Sequence, residues 1–393
     1  MSAEPSGRVS GDAMPLAAIA GIIATVTVFA ISQGLSYPLL SFILQRQGES
    51  PGLIGLSAAM TPLGFIASAP LIPWMSRQVG PGRLAVGCAT LASLTLALIA
   101  WTSHIIPWFP LRFLLGFVAN PLYVVSETWL ITIVPSGQRG RFMGIYTSIV
   151  SAGFAVGPLT LATVGTEGWP PFLIGIVSFL ICGVILLAVL PHLPRFENEA
   201  GHGSVAGFAR LAPLLLFAVF CASAFEQALL ALISVYGKAY GSTEGRISTL
   251  LTVFIAGNIA LQVPLGLLTE RIGTQRALIF CGIVAILGAA LLPVAFLSSV
   301  IWPMAFLWGA VAFGIYTIAL IELGERFSGT LLITGNAAFA LSWGVGGIAG
   351  PPMTGGAMGL VGVQGLPLVL GLMCVGLVAA ALLRDRRPEA ERP

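Results

Sequence analysis

The chain has 393 residues, 57% of them hydrophobic and 8% charged, with a net charge of +3. A soluble chain carries roughly 25% charged residues, so this one cannot cover a water-exposed surface of its size, and its solvent is lipid. The charges are scattered rather than patched, which argues against a nucleic-acid partner.

Residues 1–14 form a polar tail without a cleavable signal, so the apolar run from Leu16 reads as a first span that stays in the protein. A helix needs about 20 apolar residues to cross the hydrocarbon core. Candidate spans follow at 16–44, 53–75, 84–102, 108–134, 143–164, 171–190, 212–236, 247–269, 277–297, 302–324, 331–354 and 365–383. Barrel strands would give short alternating segments instead. The expected fold is an all-α integral membrane protein with twelve transmembrane helices in two pseudo-symmetric six-helix bundles. The bundles occupy 15–190 and 212–383, joined by a cytoplasmic linker at 191–211, with a cytoplasmic C-terminal tail at 384–393.

Basic residues set the orientation. With the N-terminus in the cytoplasm, inner segments hold Arg8, Arg77, Arg83, Arg139, Arg141, Arg195, Arg210, Arg271, Arg276, Arg326, Arg384, Arg386, Arg387 and Arg392. Outer loops hold only Arg46, Lys238 and Arg246. That asymmetry places both termini inside, in a bacterial cytoplasmic membrane. The five cysteines are far apart in apolar runs and the three histidines have no ligand-spaced partner, so neither a metal nor a disulfide framework is expected. No glycine-lysine phosphate cradle is present. No cofactor is expected, and the chain reads as a non-enzyme.

One register runs through both halves. Gly80 and Gly273 are 193 positions apart, and the same offset relates Arg83 to Arg276, Gly116 to Gly309, and Tyr123 to Tyr316. It also relates Gly153, Gly157 and Pro158 to Gly346, Gly350 and Pro351. Duplication of this kind belongs to secondary transporters. The two glycine-proline segments are candidate helix bends and sliding surfaces. The alternative is ordinary close packing of membrane helices.

The segment Gly266, Glu270, Arg271, Gly273 and Arg276 resembles the glycine-acidic-basic motif that the major facilitator superfamily carries after its second helix. The first-half copy departs from it, with Pro73 and Arg77 at the leading glycine and acidic positions while Gly80 and Arg83 remain. Arg112 to Gly116 resembles the family's fourth-helix arginine motif. Gly153 to Pro158 resembles its fifth-helix antiporter motif, with Thr160, Leu161 and Ala162 in place of the later glycine pair. Tyr123 to Trp129 and Gly324 to Phe327 are similar to a bacterial branch of efflux or sugar-like permeases. The resemblance implies helices 1, 4, 7 and 10 around a central cavity.

Ionisable residues at membrane depth usually face a cavity or a partner. Arg112 and Glu226 both read as lying in the outer half of the membrane, close enough to interact in at least one state. An opposite charge holds a carboxylate ionised, and burial without one favours the protonated form, so this pair is the candidate for proton coupling. The alternative is a permanent structural ion pair. Candidate cavity residues are Gln33, Tyr37, Asn120, Tyr123, Phe225, Asn258, Gln262, Tyr316, Phe339 and Trp343, although a neighbouring helix could satisfy each polar one taken singly. Arg77, Arg83, Glu127, Glu270, Arg271, Arg276 and Glu322 form a candidate inner gate.

The reading is a secondary active transporter working by alternating access, exporting an amphiphilic or drug-like solute in exchange for protons and acting as a monomer in lipid. Two alternatives stand beside it. One is proton-linked or facilitated uptake of a small metabolite. The other is a receptor or scaffold that does not transport.

Overall fold

The computed structural model describes residues 16–102, 104–134, 139–192 and 205–385. The expected tail at 1–14, residues 386–393 of the expected tail at 384–393, and most of the linker lie outside the described residues, as do the side chains of Arg139 and Arg141.

Long helices make up nearly everything described. They are α1 (Leu16–Arg46), α2 (Pro51–Ser68), α3 (Ile72–Val79), α4 (Pro81–Trp101), α5 (Ile105–Ile133), α6 (Arg139–Val164) and α7 (Pro170–Val189). After the short α8 (Val205–Leu211) come α9 (Pro213–Ala239), α10 (Glu244–Ile272), α11 (Thr274–Ala295), α12 (Ile301–Arg326), α13 (Gly329–Val361) and α14 (Gly365–Asp385). Ten stretches among the described residues are long and apolar enough to cross a bilayer. The last, Thr334–Arg384, covers most of both α13 and α14. The apolar part of α6, Ser148–Val164, is shorter than the rest.

Several helices run past their apolar cores to polar caps. Ser50 Oγ accepts from the Leu53 amide at 3.3 Å at the start of α2. Thr243 Oγ1 accepts from the Arg246 amide at 3.2 Å at the start of α10. Each hydroxyl satisfies an amide that the first turn leaves without an intrahelical partner. The ends read from hydropathy at 53 and 247 therefore move outward to Pro51 and Glu244.

The 193-residue register reappears as three-dimensional packing. In the first half α1 packs on α6, α2 on α5 and α4 on α7; in the second, α9 packs on α13, α10 on α12 and α11 on α14. The closest approaches coincide residue for residue. A Cβ at Gly64 would strike the Phe113 carbonyl, and one at Gly257 would strike the Phe306 carbonyl. Gly116 faces the Thr61 carbonyl, and Gly309 faces the Phe254 carbonyl. Only a residue without a side chain lets two membrane helices approach this closely. The turns match as well: Gly80 has φ 84° and ψ 146°, and Gly273 has φ 85° and ψ 152°, a region of backbone space that glycine alone occupies readily.

Candidate functional site

The two halves meet chiefly through α2 with α13 and α6 with α10, and α1 touches α9. Their close contacts gather toward one end. Gly55 abuts the Pro351 carbonyl, Gly355 abuts that of Pro51, and Gly245 lies against that of Ala162. Charge locks the same end. Arg46 on α1 pairs with Glu244 on α10 at 2.7 Å, and Lys238 reaches the same carboxylate at 3.4 Å. The Arg46 guanidinium also donates to the Thr166 hydroxyl at 2.6 Å and to the Thr166 carbonyl at 2.8 Å. Thr166 itself hydrogen-bonds Glu244.

Toward the other end the contacts thin out. Gly347 faces Pro62 and Gly344 faces Ile66 near the middle of α13. Beyond them Arg77, Arg83, Glu270, Arg271 and Arg276 are exposed, and among the described residues no hydrogen bond or ion pair joins them across the halves. Glu322 is not directed across this opening. Its Oε1 accepts from Arg326 at 3.0 Å and from Arg384 at 2.6 Å, both in its own half. The pairing with Arg326 is the i,i+4 spacing of one helix. In this conformation Glu322 is a tie within the second half.

Between the two ends lies a set of enclosed polar groups. Glu226 stands at the midpoint of α9, 13 residues from Pro213 (226 − 213) and 13 from Ala239 (239 − 226). Gln33 is likewise 13 residues from the Arg46 end of α1 (46 − 33), so the two repeat-matched residues share a depth. The expectation that Glu226 lies in the outer half shifts to the centre, because α9 extends to Ala239. Arg112 is seven residues into α5 (112 − 105) and only 1% exposed. No ion pair joins Arg112 to Glu226 among the described residues. Arg112 Nη1 instead donates to Ser57 Oγ at 3.3 Å, and Tyr37 lies within electrostatic reach of both Arg112 and Glu226. Gln33 Oε1, Arg112 Nε and Glu226 Oε2 are buried without hydrogen-bond partners, which is costly unless something else visits them.

Other predicted cavity residues divide into two groups. Asn120 ties α5 to α2, donating to the Phe65 carbonyl at 2.9 Å and to Ser68 Oγ at 3.0 Å. Gln262 bonds Asn258 on its own helix and accepts from Thr317 at 2.7 Å, linking α10 to α12. Phe225 is 1% exposed, stacked on Phe254 and edge-on to Trp308 at 5.0 Å. It belongs to the core of its own half rather than to a cavity wall, and Phe339 is buried as well. Tyr123, Tyr316 and Trp343 remain half-buried. Tyr316 and Trp343 meet edge-on at 5.0 Å, and Tyr123 meets Phe29 in the same way at 4.7 Å.

Glu127 differs from the other acids. Its side chain is exposed, yet Tyr123, Tyr146 and Tyr316 all lie within its electrostatic reach. Tyr123 and Tyr146 come from the first half and Tyr316 from the second. A carboxylate in the neighbourhood of phenols can hold a hydroxyl or ammonium group of a solute.

The candidate bends act as contacts. Gly153 faces the Thr27 carbonyl and Gly157 the backbone of Gly34 and Leu35. Gly346 faces the Phe220 carbonyl and Gly350 the Ala224 backbone. Both α6 and α13 continue unbroken through Pro158 and Pro351.

Sequence reasoning missed the Arg46, Lys238 and Glu244 lock. A signal was present, because Arg46 and Lys238 are two of the three cations on the side otherwise poor in them. Cutting one strand of this lock should loosen the closed end. A cysteine at Gly52 in an Arg46→Ala background should react several-fold faster with a membrane-impermeant maleimide than the same cysteine with Arg46 intact. The five native cysteines are buried, which keeps the background low. Equal rates would show that the packing of α2 on α13 holds this end without the charges.

The sequence profile of the Major Facilitator Superfamily matches residues 22–215 and 215–393. The MFS-type transporter YfkF of Bacillus subtilis, itself uncharacterized, is 25% identical over 346 residues, covering 84% of this chain and 86% of that protein. YcaD of Escherichia coli, likewise an uncharacterized MFS-type transporter, is 25% identical over 332 residues, covering 80% and 82%. Among solved structures the nucleoside transporter NupG superposes with a TM-score of 0.77 at 13% identity, covering 95% of this chain and all of that one. A bacterial homologue of the lysosomal transporter Spinster, in an inward-facing conformation, gives 0.71 at 15% identity, covering 96% of this chain and all of that one. At these identities the two structures establish the fold.

Proposed function

From the premise that this chain belongs to the major facilitator superfamily, we propose that it takes up a small polar, ring-bearing metabolite, linked to protons. The protein is a multi-span carrier that moves a small solute by alternating access, and it is not an enzyme. In the proposed arrangement twelve crossings form two six-helix bundles, with both termini cytoplasmic. The locked Arg46 end then faces outward, and the passage opens to the cytoplasm.

One observation carries the choice of solute. Phe29, Phe225 and Phe339 are each 2% exposed or less, so these rings offer a solute little apolar surface. The half-buried Tyr123, Tyr316 and Trp343, with the carboxylate of Glu127, are the proposed lining of the route. Such a lining suits a planar polar solute held by hydrogen bonds and ring stacking. NupG, a nucleoside transporter of the same fold, handles a solute of this general kind. Glu127 with its tyrosines is the proposed solute anchor and Glu226 the proposed proton carrier. The remaining gate residues, Arg77, Arg83, Glu270, Arg271 and Arg276, are proposed to close the open end when the locked end parts.

The test is a proteoliposome assay with a panel of labelled nucleosides, sugars and amphiphilic dyes, with and without an imposed pH gradient. Gradient-driven accumulation of a polar ring-bearing solute is expected. Expulsion of dyes alone would return the reading to export. Glu127→Gln should raise the half-saturating solute concentration about tenfold, as befits loss of a charged hydrogen bond, while leaving maximal flux within about twofold. An unchanged half-saturation would remove Glu127 from the solute site.

A further inference from the structure

Three hydroxyls near the locked end are fully buried and have no hydrogen-bond partner among the described residues: Ser234 on α9, Ser248 on α10 and Thr354 on α13. They lie five residues before Ala239 (239 − 234), four after Glu244 (248 − 244) and seven before Val361 (361 − 354). At 1.5 Å rise per residue, each is within about 11 Å of its helix end on that side. A helical serine or threonine can return its hydroxyl to the carbonyl four residues back. Thr249 and Thr252, on either side of Ser248, do so at 2.8 and 3.1 Å. Ser248 leaves that outlet unused.

Helix spacing turns all three toward the seam between the halves. Gly347 on α13 touches both Pro62 on α2 and Gln227 on α9. Thr354 is seven residues on from Gly347 (354 − 347) and Ser234 seven on from Gln227 (234 − 227). Each therefore shares the face of that contact, two turns nearer the lock. Ser248 is one turn in from Gly245, which lies against the Ala162 carbonyl of the first half. It also stands where the first half has Gly55, itself against Pro351. Ser234 has a repeat counterpart in Ser41, eight residues beyond Gln33 (41 − 33) as Ser234 is eight beyond Glu226 (234 − 226). Between the Gln33 and Glu226 level and the lock, α1, α9 and α13 carry no charged side chain.

We propose that Ser234, Ser248 and Thr354 line the stretch of the solute route that is shut in this conformation. Alternating access requires the locked end to part. Buried hydroxyls without partners are costly. Parting of α2 from α13 and of α6 from α10 gives them water, or the polar groups of a passing solute, as partners. This deepens the reading above by naming the groups a solute meets between the lock and Glu226, and it rests on alternating access rather than on which solute or ion is carried.

The test is cysteine reactivity in the detergent-purified full chain. Ser234→Cys, Ser248→Cys and Thr354→Cys, made singly, would be exposed to a small cationic methanethiosulfonate, with labelling read residue by residue by peptide mass spectrometry. Ile233→Cys and Leu251→Cys are the controls, since both side chains are also buried but lie beside Trp308 inside the second half. The three test positions are expected to react about tenfold faster than the controls or more, because the route opens in every cycle while the core opens only on unfolding. Arg46→Ala should widen that gap several-fold. A gap that is present but not widened supports the lining and shows that charge is not what holds the lock. A test position that reacts at the control rate in both backgrounds takes its residue off the route, and all three doing so would overturn the proposal. No solute is added, so a failed uptake assay would leave this result unaffected.

Discussion

Glu226→Gln should abolish uphill accumulation of the solute while leaving downhill exchange at a sizeable fraction of the native rate. Glu226 is 9% exposed at the centre of α9, with no ion pair among the described residues. A carboxyl in that position has two ways to avoid a bare charge in lipid: a proton, or a cation beside it. Arg112 is the candidate cation, since Tyr37 lies within reach of both it and Glu226, and in this conformation it donates an N–H to Ser57. In the proposed cycle, rocking of the halves brings the two together in one state and parts them in another. Glutamine keeps the shape and the neutral form, so the solute can still cross, but nothing is exchanged with the proton gradient. The expected loss of gradient-driven accumulation is about tenfold or more, equivalent to about 1.4 kcal/mol of coupling. The assay is paired uptake in proteoliposomes, with a pH gradient and with solute counterflow. Native accumulation by the variant would move coupling to another group, and Glu127→Gln in the same assay would show whether that group is Glu127.

The second large effect concerns folding. Gly309→Ala should destabilise the protein by roughly 1–3 kcal/mol, the usual toll of forcing extra carbon into a closed interface. A Cβ on Gly309 would overlap the Phe254 carbonyl, which belongs to the backbone of α10 and cannot rotate away. The helices α10 and α12 would have to separate along their shared face. Gly116→Ala should do the same to α2 and α5, because Gly116 faces the Thr61 carbonyl. Gly87→Ala is the control. No neighbouring atom lies within 4 Å of its added carbon, and alanine favours a helix more than glycine does. Thermal unfolding followed by size-exclusion chromatography in detergent should therefore rank Gly87→Ala at or above the native protein and both contact variants well below it. Equal melting for all three would mean that the interfaces yield more readily than their geometry implies.

The sequence revealed most where function depends on the backbone. Helix positions follow from runs of apolar residues. The internal repeat follows from glycines, which mark close approaches whatever surrounds them, and so Gly116 and Gly309 could be matched before any contact was known. Side-chain direction was much harder to read. Helices that are apolar on all sides give no stripe to separate a core face from a cavity face. Nothing in such a helix tells that Phe225 packs against Phe254 and Trp308 within its own half. Partners set by helix rotation were hidden too. Asn120 meets a carbonyl 55 positions away, and Arg112 meets a serine at the same separation. Glu322 has a partner four residues on, Arg326, which helix spacing makes legible, and a second, Arg384, which it does not.

The matched glycines have a consequence for how such a protein can change. Both copies of the repeat keep one skeleton, while the chemistry hung on it has parted company. Gln33 stands opposite Glu226, Arg112 opposite Ala305, Asn120 opposite Phe313 and Glu127 opposite Leu320. Titratable groups at the heart of the molecule are thus divided unevenly between two scaffolds with matched helix contacts. New specificities can be written onto either scaffold by exchanging side chains at equivalent addresses, without disturbing the joints that let one half pivot on the other.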